Sequence, residues 1–109
     1  MSTQKSEEIV LASTTEIVTA FDGNLTIGAQ GMHEGGSERR LGIAIGEIGY
    51  ATDVVWLQVG GSHQYERRRH GSGQVGDFFY EIRVLQVPEP QASQFKARIL
   101  VTSLGDRRP

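Results

Sequence analysis

The 109-residue chain contains no cysteine, which excludes disulfides, thiolate nucleophiles, zinc ribbons and iron–sulfur clusters and leaves the core to hold without cross-links. Lysine is scarce too: nine Arg and two Lys stand against thirteen acids, for a formal net charge of −2. A mildly acidic chain is repelled by a phosphate backbone, so neither nucleic acid nor an anionic membrane surface is an expected partner. Arg suits planar pairs with carboxylates and other anions, which leaves an anionic small ligand open. No apolar run approaches the roughly 18 to 20 residues of a membrane span. The first apolar run, 9–12, is too short for the core of a signal peptide. The expectation is a soluble, cytoplasmic protein whose residues 1–109 form one domain.

Helical periodicity is nearly missing as well. Apolar segments are short, β-branched and bounded by Gly, Asp, Asn or Pro, as in an all-β chain. Strands are expected over 8–13, 15–21, 25–29, 41–50, 54–59, 62–69, 78–87 and 95–102, with 1–7 and 103–109 as frayed tails. Seven or eight strands at this spacing predict an antiparallel β-sandwich, with a small β-barrel as the alternative. Alternation draws the core from Ile17, Phe21, Leu25, Ile27, Ile43, Ile45, Leu57, Phe78, Tyr80, Ile82, Val84, Phe95, Ile99 and Val101. Asp22-Gly23-Asn24 reads as a hairpin turn, 30–40 as a Gly-rich loop, and Pro88-Glu89-Pro90 as the end of a strand. Gly42, Gly46 and Gly49, with apolar residues of opposite parity on either side, point to a β-bulge near Gly46 and Glu47.

The motifs are sparse. Gly71-Ser72-Gly73-Gln74-Val75-Gly76 matches G-x-G-x-x-G, but a strand pattern follows it where a dinucleotide site needs a helix, so a hairpin loop is expected. Three histidines, His33, His63 and His70, fit no metal-ligand spacing, and neither metal nor cofactor is expected. No G-x-S-x-G elbow is present, and every catalytic signature considered fails.

The run Tyr65-Glu66-Arg67-Arg68-Arg69-His70 concentrates charge. Alternation puts His63, Tyr65, Arg67 and Arg69 on one face, an arrangement suited to an anion. The strands 62–69 and 78–87 are expected to pair with residue numbers summing to 149, which sets Glu66 against Arg83 and Arg68 against Glu81, rather than to 147, which sets Glu66 against Glu81; the arginines are then mainly structural.

Trp56 is the most informative residue. In Val54-Val55-Trp56-Leu57-Gln58-Val59, the wholly apolar set is Val55, Leu57 and Val59, so Trp56 points outward to meet a partner subunit, a peptide or a sugar ring. The favoured function is a non-enzymatic binding or assembly module acting through a sheet face or edge, with a homo-oligomer or another protein as partner. The alternative is a small enzyme or ligand-binding protein whose polar site gathers His33, Glu34, His63, Arg67 and Arg69 at one end of the sandwich.

Overall fold

The computed structural model describes residues 5–21, 23, 25–35, 38–47, 49–50, 52–66, 78–89 and 94–106. Its eight strands are β1 (Lys5–Leu11), β2 (Ile17–Ala20), β3 (Leu25–Gly35), β4 (Glu38–Glu47), β5 (Asp53–Leu57), β6 (Ser62–Glu66), β7 (Phe78–Gln86) and β8 (Ala97–Asp106). They form two antiparallel four-stranded sheets, β1-β8-β7-β6 and β2-β3-β4-β5, packed as a β-sandwich. Among the described residues no helix is long and apolar enough to cross a membrane.

The strand order follows the chain around the molecule, and β8 returns to β1. This is the order of an up-and-down barrel flattened and opened along two seams, between β1 and β2 and between β5 and β6. A carboxylate works at each seam. The Phe21 N–H donates to Glu7 Oε2 at 2.8 Å across the first, and His63 Nε2 lies 3.0 Å from Asp53 Oδ2 across the second. Just before β6, Gly60 and Gly61 carry the β6–β7 ladder one step further by exchanging backbone hydrogen bonds with Val84 at 2.8 and 3.0 Å.

The core follows from alternation on both sheets. Leu25, Ile27, Leu41, Ile43 and Ile45 from one meet Tyr65, Tyr80, Ile82, Val84, Ile99 and Val101 from the other. Phe21 stacks on Tyr80 with ring centroids 5.5 Å apart.

Several expectations need correction. Ile17 is 73% exposed; Val18 and Ala20 carry the inward parity of β2, and Phe21 reaches the core because its φ of +54° turns the chain there. The bulge lies on β3, between Ala29 and Gly31, while β4 stays regular to Glu47, where Tyr50 N–H donates to Glu47 O and turns the chain. Much of 30–40 is the outer half of a long β3–β4 hairpin rather than a loop, with pairing to Gly35↔Glu38. Strand pairing reaches into both segments expected as tails, since β1 begins at Lys5 opposite Ser103 and β8 runs to Asp106.

β6 and β7 do form a hairpin, but its residue pairs sum to 145, with Tyr65 opposite Tyr80 and Glu66 opposite Phe79. Both tyrosines face inward in either register, but only this one sets their rings together, with centroids 6.4 Å apart, and that packing outweighs cross-strand ion pairs of about 0.2 to 1 kcal/mol each. The glycine motif 71–76, the arginines 67–69 and His70 lie outside the described residues.

Candidate functional site

The candidate residues from the sequence fall into three separate settings. Tyr65 is fully buried and packs in the core, so it meets no ligand at the surface. His63 faces inward with it, opposite Ile82, and is held by Asp53 at the β5–β6 seam. Glu34 accepts from Arg39 Nε at 2.9 Å, while the Arg39 Nη2 donates to the Pro88 carbonyl. That fork fastens the β3–β4 hairpin to the segment after β7 and accounts for Glu34 structurally. His33 sits on the outer face of β3, its ring edge-on to Trp56 at 6.4 Å. The structure therefore does not gather His33, Glu34 and His63 into one polar site, and Arg67 and Arg69 lie outside the described residues. Among the described residues no group of three His, Asp or Glu is placed to hold a metal ion.

Trp56 does point outward, 45% exposed, with Val55 and Leu57 packed against the core. Its indole lies flat across Gly42, its register partner on β4. A Cβ built at Gly42 would stand 2.7 Å from the ring, so only glycine lets the indole rest there. The next outward glycine on the same side of β4, Gly46, is covered in turn by Thr52, 2.7 Å from where its Cβ would be.

Between these two covered positions the face is open. Register aligns Ile17 with Gly28, Gly28 with Ala44 and Ala44 with Val54, one row across all four strands. Its ends are large and exposed, Ile17 at 73% and Val54 at 54%, and its middle is a hydrogen atom and a methyl group. A Cβ at Gly28 would have only ordinary contacts, at 3.5 and 3.7 Å.

The result is a trough with a cavity of about 310 Å³, floored by Gly28 and Ala44, with Thr26 beside them. Ile17 and the 14–16 segment form one wall, and Gln30 and Thr52 also line it. Hydroxyls and an amide thus surround an apolar floor. Glu16 brings a carboxylate, whose Oε1 accepts the Ala12 N–H at 3.4 Å.

Sequence reasoning missed this site by placing Ile17 in the core and reading the β4 glycines as a bulge. The signal was present in Leu41-Gly42-Ile43-Ala44-Ile45-Gly46, a strict alternation of large and minimal side chains. That pattern describes a strand with a full inner face and a bare outer one. Comparison with family models, curated proteins and solved structures gives no match to this chain.

Proposed function

We propose that the protein is a non-enzymatic binding module whose working surface is the outer face of the β2-β3-β4-β5 sheet. The observation that carries this reading is the row Ile17–Gly28–Ala44–Val54, with exposed aliphatic ends around an unfilled centre and Trp56 one rung away. Large apolar side chains left in water around a concave floor are a cost to the free protein that a ligand removes. The His63–Asp53 pair supports no catalytic reading of comparable weight, because it is turned into the seam that it closes.

The test is fragment binding followed residue by residue. Amide and indole NMR signals of the full chain are recorded against a mixed library of neutral, cationic and anionic small fragments. Shifts concentrated at Thr26, Gly28, Ala44 and the Trp56 indole N–H support the reading. Shifts concentrated on the outer face of β1-β8-β7-β6, or around His63 and Asp53, overturn it.

A further inference from the structure

Resting on that reading, we infer that the ligand class of this face is a neutral oligosaccharide, with one pyranose ring against the exposed side of Trp56 and a neighbouring ring in the Gly28–Ala44 trough. Three properties of the face select this class.

The first is charge. From Ile17 and Thr19 on β2 through Thr26 and Gly28 on β3, and Gly42, Ala44 and Gly46 on β4, to Val54 and Trp56 on β5 no outward residue is ionisable; the ionisable residues of this face begin beyond Trp56, with His33 edge-on to the indole and Arg40 donating to Glu38. Glu16, at the wall, adds one acceptor and disfavours anions. Neither a phosphorylated nor a carboxylated ligand finds a counter-charge over the trough.

The second is chemical texture. A sugar ring presents C–H groups on its faces and hydroxyls around its rim. The face presents the matching surfaces: in the trough an apolar floor of Gly28 and Ala44 with Thr15, Gln30 and Thr52 around it, and one rung away, outside the trough, an indole whose inner side is already occupied by Gly42. A hydrocarbon ligand would bury those hydroxyls without partners.

The third is size and backbone. Four strands about 4.8 Å apart, with three outward rungs about 6.8 Å apart, give a patch on the order of 300 Å². A stable protein pair needs roughly 800 Å² from each partner. Every strand beneath the trough is already paired on the sheet, β3 and β4 on both sides, so a peptide cannot add as a strand there. A short oligosaccharide fits both limits.

The experiment titrates the full chain with cellotetraose and maltotetraose, and with an oligogalacturonate as the anionic control, reading the emission of the single tryptophan and the NMR shifts. At least one neutral tetrasaccharide is expected to bind at millimolar concentration, moving the Trp56 indole, Gly28 and Ala44 signals together. Trp56→Ala should weaken it about tenfold, the scale of one stacking contact. Gly28→Val, whose Cβ meets only ordinary contacts and whose methyls occupy the trough, should abolish binding while leaving the denaturation midpoint unchanged or higher. A response that survives Gly28→Val, or equals that to the oligogalacturonate, overturns the inference. So does a face covered by self-association in a dilution series. If neither tetrasaccharide binds while neutral fragments still map to this face, the ligand class is wrong and the binding-module reading stands. If the fragments also miss it, both fall.

Discussion

The two sheets present the same kind of surface to each other and opposite kinds to solvent. Outward positions on β1, β8 and β7 carry Glu8, Arg98, Glu81 and Arg83, with Arg98 donating to both Glu8 oxygens at 3.1 and 2.7 Å and Ser6 sharing a hydrogen bond with Thr102 at 2.9 Å. Val10 and Leu100 are apolar exceptions, Val10 lying beside its register partner Arg98 and Leu100 between Glu8 and Arg83. The outer face of β2-β3-β4-β5 has glycine, alanine, threonine and exposed aliphatic groups over the trough instead, and becomes charged toward the tip of the β3–β4 hairpin, at His33, Glu38 and Arg40. Folding needs only the inner faces, so the divergence of the outer ones reflects what each must meet. One is built for water, and the other leaves apolar groups standing around a gap.

The comparison predicts that the sheets are equal partners inside. Ile43→Ala and Ile82→Ala remove fully buried side chains from opposite sheets, and each should cost about 2 to 5 kcal/mol in denaturant unfolding. A large asymmetry between them would mean that one sheet dominates the core.

Outside, the glycines of the neutral face should respond unequally. Gly46→Ala puts a methyl 2.7 Å from Thr52 Oγ1 and 3.3 Å from Thr52 Cα, backbone that yields poorly. It should lose about 1 to 3 kcal/mol by urea denaturation. Gly28→Ala meets no such obstacle and should gain about 0.5 to 1 kcal/mol, the strand penalty of glycine. If both behave alike, the trough is not an open space.

The charged face should give the smallest effect, visible chiefly through pH. The hydrogen bond from Arg98 holds the exposed Glu8 carboxyl below its ordinary value of 4.5, opposed by slight desolvation and aided by the Arg98 and Lys96 charges. Because the unfolded chain binds this proton more readily, the pair's stabilisation is present above that value and fades as pH falls through the lowered one. Glu8→Gln should slightly lower stability near neutrality, where the ionised pair contributes, and leave it unchanged at pH low enough to protonate Glu8, so that the acid limb of a plot of stability against pH flattens. An equally steep limb in the variant would show that Glu8 plays no part in it.

What could be read from the sequence was what lies near in the chain. β-branched alternation specified an all-β sandwich, and the parity of Val55 and Leu57 turned Trp56 outward. The proline pair 88 and 90 marked the end of β7, and the β6–β7 hairpin was foreseen as a pair of strands. Each of these rests on a period of two or on a backbone restriction carried by a single residue.

Register belonged to the tertiary structure. Alternation says which side of a strand faces inward, but every slip by two residues preserves it. The choice between a sum of 145 and one of 149 in the β6–β7 hairpin was made by placing Tyr65 and Tyr80 together in the core. The same indifference hid Ile17, since the left-handed turn at Phe21 admits that ring to the core from the parity opposite to Val18 and Ala20. It hid the trough too. Ile17, Gly28, Ala44 and Val54 are separated by 11, 16 and 10 positions in the chain, and only the pairing of four strands brings them into one row. The sequence by itself determined that each strand has a full side and a bare side. Which bare positions line up was decided by the core, because buried area drives the pairing and the outer face follows wherever the inner one fits.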